Sequence, residues 1–336
     1  MKQRITIRDV AREAGVSRQT VSRVINDKGE LSPATKERVQ AVIRRMGYRP
    51  SRTARSLTTR RTLTVGFVVP TIANPFFAEL ARGVQDAGRA RGYHIFLCNT
   101  DWDPAEELEL LHTLAAQPVD GIILTSSRLE DEALQAFADT FHPLVLGGRL
   151  PAEYPGIGRV EVENDAGMLM AVEYLQGKGH TAIGYLAGPE TAPTMSNALR
   201  EIGYRKAMVA CALPNGDRWI RRGNLTAEGG YQAAMQLFQA APELTALVAH
   251  NDLMAIGAIQ ACQEVGRQVP DECAIVGFND IDLAAMANPP LTTIRLDRHR
   301  FGYEMMNLLL EMIDNPGKHF PAKTIPIDGL VIRKSG

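Results

Sequence analysis

Cysteine is scarce in this chain of 336 residues, and Cys98, Cys211, Cys262 and Cys273 form no CxxC pair. That excludes a zinc ribbon or a disulfide scaffold and points to reduced, packed thiols in a cytoplasmic protein. No stretch is long and apolar enough to span a bilayer. The opening "MKQRITIRDV" lacks the apolar core of a signal peptide, so a cytoplasmic location is expected. Catalytic signatures are also missing: there is no GxGxxG after a strand, no Walker A loop, no GxSxG and no HExxH. "PGIGRV" holds only a GxG, and the seven histidines show no metal-ligand spacing. A dehydrogenase would thus lack its phosphate-binding loop. Neither enzyme activity, cofactor nor metal is expected. The net charge of −1 is small, but it conceals an asymmetry. Residues 1–61 carry 16 Lys and Arg against 5 Asp and Glu, a formal +11, while the remainder carries 21 against 33, a formal −12. A basic module on an acidic body calls for a polyanionic partner.

The basic segment has helical periodicity and caps. Thr6 precedes a helix whose third residue is Asp9, a capping-box variant, and Val10, Ala11 and Ala14 form its apolar face. Gly15 permits a turn and Ser17 caps the next helix, where Val21, Val24 and Ile25 face inward. Ser32–Pro33 opens a third helix with Val39, Val42, Ile43 and Met46 on one side, and Gly47 ends it. Two short helices around a tight glycine-containing turn, closed by a third, describe a helix-turn-helix. Its second helix presents Arg18, Gln19, Thr20, Ser22, Arg23 and Asn26. Arg and Gln can each make two hydrogen bonds to a base edge in the major groove, and the hydroxyls and further arginines suit phosphates. The surface is therefore expected to be a DNA-binding one; a three-helix protein-interaction module is the alternative. Pro50 stops the third helix. Ser51 is placed to cap a short helix with Ala54, Arg55 and Leu57, before a linker over 58–62.

From Leu63 strands and helices alternate, which implies parallel sheets with helical crossovers. "TVGFVVP" and "AIGYLAG" open two lobes of similar layout. Ligands of such sheets bind beyond the carboxyl ends of the strands. Those ends carry Asn74, Ser126, Ser127, Arg149, Asn251, Asp252, Asn279 and Asp280, a set suited to a small polar molecule, although strand ends also need polar turn residues.

The run "TIRDVAREAGVSRQTVSRVIND", then "ARSL", "NPFF", "GHTAIGYLAG", "NDLMAIGAI", "VGFNDI" and "PPLTTIR", resembles the LacI/GalR family of bacterial transcription regulators along essentially the whole chain. The resemblance implies a helix-turn-helix headpiece at 1–49, a hinge helix and linker at 50–62, and a two-lobed, periplasmic-binding-protein-like (type I) α/β core at 63–336. It places the N-lobe at about 63–160 plus 295–320 and the C-lobe at about 161–294 plus 321–336. It further implies a homodimer on a pseudo-palindromic double-stranded operator, with Leu57 wedged into the minor groove. A tetramerising tail is not expected after "GLVIRK". The implied DNA set is Thr6, Ser17, Arg18, Gln19, Thr20, Ser22, Arg23, Asn26, Ala54, Arg55 and Leu57. The implied effector set is Asn74, Phe76, Phe77, Ser126, Arg149, Arg200, Leu225, Asn251 and Asn279. Leu225 stands where relatives often carry an aromatic residue, and Asn279 where many carry aspartate. The expected function is a sequence-specific repressor controlled by a small metabolite between the lobes: a sugar, a sugar acid or a sugar phosphate. A transport-type binding protein without a DNA role and a sugar-modifying α/β enzyme are the other classes.

Overall fold

The computed structural model describes residues 5–25, 29, 31–48, 61–148, 156–190, 195–214 and 216–336. It divides into two units, 1–62 and 63–336. Asn26, Ala54, Arg55, Leu57 and Arg149 lie outside the described residues.

In the first unit, α1 (Ile7–Ala14), α2 (Arg18–Ile25) and α3 (Pro33–Met46) pack around Val10, Ala11, Ala14, Val21, Val24, Val39 and Val42. The caps follow the sequence pattern. The Thr6 N–H and hydroxyl both donate to Asp9 (2.9 and 2.7 Å), and these bonds hold the carboxyl below its ordinary pKa. Thr20 N–H donates to Ser17 Oγ at 3.1 Å and Thr35 N–H to Ser32 Oγ at 3.3 Å. Gly15 and Gly47 end α1 and α3 with φ of 63°, a left-handed turn that glycine adopts at little cost.

The second unit holds two six-stranded sheets. The N-lobe sheet comprises β1 (Thr64–Val69), β2 (His94–Asn99), β3 (Ile122–Thr125), β4 (Leu144–Gly147), β5 (Ile157–Val162) and β11 (Lys323–Ile325), in the order β11-β5-β4-β3-β1-β2. The C-lobe sheet comprises β6 (Ile183–Ala187), β7 (Ile220–Arg222), β8 (Ala246–Ala249), β9 (Ala274–Asn279), β10 (Thr292–Arg295) and β12 (Gly329–Val331), in the matching order β12-β10-β9-β8-β6-β7. All pairings are parallel except β10 with β12. Both faces of the central strands are covered, and so they read as unbroken apolar runs. The N-lobe is flanked by α4 (Pro75–Ala90), α5 (Pro104–Ala116), α6 (Asp131–Thr140) and α12 (Arg298–Asp314). The C-lobe is flanked by α7 (Asn164–Gly177), α8 (Met195–Ala210), α9 (Ala227–Ala240), α10 (Asp252–Glu264) and α11 (Asp282–Met286). The chain passes between lobes after β5, β10 and β11. This corrects the expected boundary near residue 320. Lys323–Ile325 pair with Val160–Val162, so 321–325 belong with the N-lobe.

Each lobe has one helix crossing so close that only glycine fits. A Cβ on Gly83 would lie 2.0 Å from His299 O, and one on Gly302 would lie 2.0 Å from Leu80 O, where α4 meets α12. A Cβ on Gly257 would lie 1.9 Å from Ala227 O, and one on Gly230 would lie 2.2 Å from Met254 O, where α9 meets α10. Among the described residues, no helix is long and apolar enough to cross a membrane.

Candidate ligand cleft and helix-turn-helix surface

The cleft lies between the lobes, at the carboxyl ends of both sheets, and encloses about 590 Å³ including its open mouth. Asn74, Phe76, Phe77, Leu80, Trp102, Thr125, Ser126, Gly148, Val162, Leu296 and Phe301 line it from the N-lobe side. Asn164, Ser196, Asn197, Arg200, Leu225, His250, Asn251 and Asn279 line it from the C-lobe side. Every described residue of the expected effector set is therefore on its wall. Contacts cross the cleft. Ser196 Oγ donates to Gly148 O at 3.2 Å, Trp102 packs on the C-lobe core, and Leu253 and Ile281 pack on the N-lobe core.

The polar wall is organised by Arg200, on the first turns of α8. Its side chain is buried rather than a surface group with a covered stem. Nε donates to Asn164 Oδ1 at 2.8 Å, Nη2 to Asn279 Oδ1 at 3.0 Å and Nη1 to the His250 carbonyl. The guanidinium carbon sits 3.7 Å from the centroid of the Phe278 ring. Three of the five N–H groups of an arginine are thereby used, and one on each Nη remains for a ligand. Burial lowers the Arg200 pKa to about 10, and burial also holds His250 neutral, with its Nδ1 3.3 Å from the Tyr185 hydroxyl.

Asn74 and Asn251 owe part of their placement to helix capping. Asn74 Oδ1 accepts from Phe76 N–H at 3.0 Å, while its amide group has no protein partner among the described residues. Asn251 is committed at both ends: Oδ1 accepts from Met254 N–H at 2.8 Å, and Nδ2 donates to Leu225 O at 3.0 Å. It thereby fixes the α10 terminus and the Leu225 loop while it lines the cleft. Of the remaining strand-end residues, Ser127 donates to Glu107, Asp252 is tied to Thr293 and Ile281, and Asp280 pairs with Arg295 and Arg333. None of these three lines the cleft.

Sequence reasoning missed Trp102. It sits in the loop after β2, meets Phe77 edge-on with centroids 6.1 Å apart, and carries the Arg128 guanidinium 4.7 Å from its ring. Arg128 Nη1 also donates to Trp102 O at 3.0 Å. With Phe76, Phe77 and Phe301 it makes the N-lobe wall aromatic, although the C-lobe offers Leu225 where an aromatic was a possible ring platform. A single tryptophan in a polar loop gives no sequence signal for this; only its place after a strand end hinted at it. Four wall residues other than glycine hold left-handed backbone: Ser126 (φ 52°), Trp102 (64°), Leu225 (67°) and Asn279 (109°). Such conformations cost about 1–3 kcal/mol each and concentrate at functional sites.

On the first unit, Arg18, Gln19 and Arg23 are exposed along α2. Ser17 and Thr20 share a hydroxyl contact of 3.0 Å at its start, Ser22 is half-buried, and Thr6 is exposed with its hydroxyl given to Asp9. The base-reading geometry expected of α2 thus rests on Arg18 and Gln19, which face outward from its first turn.

A three-helix unit with a polar second helix, on the same chain as two α/β lobes around a ligand cleft, defines a ligand-responsive DNA-binding regulator. Comparisons with known proteins agree. Residues 6–51 match the model for bacterial regulatory proteins of the lacI family, and 172–336 match a periplasmic binding protein-like domain. Catabolite control protein A of Priestia megaterium is 35% identical over 310 residues, 92% of this chain and 93% of that protein. The HTH-type transcriptional regulator CelR of Thermobifida fusca is 35% identical over 343 residues, 100% of this chain and 99% of its own. The lac repressor dimer bound to operator and the anti-inducer ONPF superposes with a TM-score of 0.89 at 28% identity, covering 99% of each chain. The chain belongs to the lacI family of bacterial regulatory proteins, and it is a transcriptional regulator, not an enzyme.

Proposed function

We propose that this protein is a cytoplasmic repressor that binds a pseudo-palindromic operator as a homodimer and whose operator affinity is set by a small hydroxylated metabolite in the interlobe cleft. The observation that carries the reading is the convergence of Asn74, Phe76, Ser126, Arg200 and Asn279, drawn from both sheets, on one cavity. A group bound there touches both lobes, and its affinity depends on their relative angle, so binding shifts the population of lobe arrangements. A coupling of about 1–3 kcal/mol is typical of such switches. Related chains support the assignment: a CelR structure is a complex with cellobiose, and a lac repressor structure is a dimer on operator. In this reading Arg18 and Gln19 meet base edges, while Ala54, Arg55 and Leu57 enter the minor groove, where a leucine wedge kinks DNA.

Binding-site selection on the wild type and on Arg18→Ala tests the DNA half. Loss of one bidentate contact costs about 1–3 kcal/mol and should make one symmetric pair of operator positions degenerate. An unchanged sequence preference would remove Arg18 from base reading.

A further inference from the structure

Arg200 has no charged partner among the described residues. Arg200 is 5% exposed, and each of its three hydrogen-bond acceptors is neutral: two amide oxygens and a backbone carbonyl. Among the described residues that line the cleft there is no aspartate or glutamate. The acid whose field reaches Arg200 is Asp252, but it makes no ion pair with it. Asp252 gives its oxygens to the Thr293 hydroxyl and the Ile281 N–H, and burial raises its pKa to about 7. A buried cation without a counter-charge is costly, and neutral dipoles only soften the cost. The lowering of the Arg200 pKa by burial agrees with a charge that the protein alone leaves uncompensated.

We propose that the physiological effector supplies the missing charge: it is a monoanionic, carboxylate-bearing ring metabolite of the sugar-acid class, not a neutral sugar. One N–H on each Nη of Arg200 remains to meet the two oxygens of one carboxylate, the paired geometry that guanidinium favours. Arg200 brings one positive charge, which a carboxylate balances and a phosphate dianion exceeds. On the other wall Phe76, Trp102 and Phe301 offer apolar faces to the body of a ring, with hydroxyl groups left to Asn74 and Ser126. The proposal deepens the reading of the cleft as the effector site and rests on it.

The test uses the full chain and a defined panel: D-glucuronate and D-galacturonate against D-glucose, D-galactose and D-glucose 6-phosphate, by thermal shift and calorimetric titration. A hexuronate should bind at least tenfold more tightly than its neutral hexose and than the phosphate. Asn279→Asp is isosteric and keeps an acceptor for Arg200 Nη2, but it places a carboxylate in the wall; it should weaken the hexuronate at least tenfold. Neutral hexose binding as tightly as the acid, phosphate binding more tightly, or no stabilisation by either acid overturns the proposal. Operator affinity by fluorescence anisotropy separates the two levels. A hexuronate whose binding is weakened by Asn279→Asp, yet which leaves operator affinity unchanged, upholds the charge assignment and overturns the effector reading.

Discussion

The two lobes share a strand order and differ in what they bring to the space between them. Each has a six-stranded sheet in the same sequence of neighbours, and each has a helix pair locked by glycines, α4 with α12 and α9 with α10. Yet the N-lobe wall carries the aromatic rings, Phe76, Phe77, Trp102 and Phe301, whereas the C-lobe wall is a hydrogen-bonded array around Arg200, Asn164, Asn279 and His250. Scaffold and chemistry have separated. The layers that fold each lobe are equivalent, and the strand-end loops give the cleft two unlike walls. A molecule that satisfies both walls bridges the two lobes.

The scaffold half of the comparison breaks most severely at the glycine crossings. Gly302→Val and Gly257→Val should each destabilise the chain by about 3 kcal/mol, because a side chain there meets backbone that cannot step aside. Chemical denaturation of both variants would check the equivalence; a normal midpoint for either would show that its helix pair is not locked. Next in size is Arg200→Ala. It should shift the effector response tenfold or more, about 1.5–3 kcal/mol for a charge-assisted contact, and lower the melting temperature because three acceptors lose their donor. Effector-free operator affinity, by anisotropy, should stay near wild type. A wild-type effector response would place Arg200 outside the recognition surface. Trp102→Ala tests the aromatic wall. Loss of one face contact, about 0.5–1.5 kcal/mol, should weaken effector binding up to tenfold with unchanged operator affinity. Calorimetry that finds equal affinity would leave Trp102 as packing between lobes.

The smallest effect belongs to a buried acid of the polar lobe. Burial raises the Asp252 pKa from 3.8 to about 7, so between those values the folded state binds more protons than the unfolded one. Stability from this group is therefore lost as pH rises, by about 1 kcal/mol between pH 6 and pH 8. The wild type should fall relative to Asp252→Asn across that interval in urea titrations, and parallel curves would show that Asp252 does not titrate there.

Much of the first unit was legible because its signals are local. Thr6 with Asp9, Ser17 before α2, Ser32–Pro33, Gly15 and Gly47 each act within a few residues, and apolar spacing then names Val10, Val21, Val24, Val39 and Val42 as the core. The strand–helix alternation of the lobes was legible for the same reason, and polar strand ends marked where a cleft would form. Less was legible where a residue's part depends on chain far away. Asn251 showed itself as a polar strand end, and its bond to the Leu225 carbonyl, 26 residues away, was not readable. Residues 321–325 looked like C-lobe, because a strand of three residues has no period to read and its partner β5 lies more than 150 residues earlier.

The sequence by itself determined the helix-turn-helix, the family, the alternating α/β layers and the outward-facing Arg18 and Gln19, since these follow from spacing, caps and charge along a few turns of chain. Only the tertiary structure decided that Arg200 is buried among neutral acceptors, that Trp102 reaches the opposite lobe, and that Gly83, Gly230, Gly257 and Gly302 sit at helix crossings. Burial and counter-charge are properties of what surrounds a side chain, and those surroundings come from strands and loops that the chain brings together only on folding.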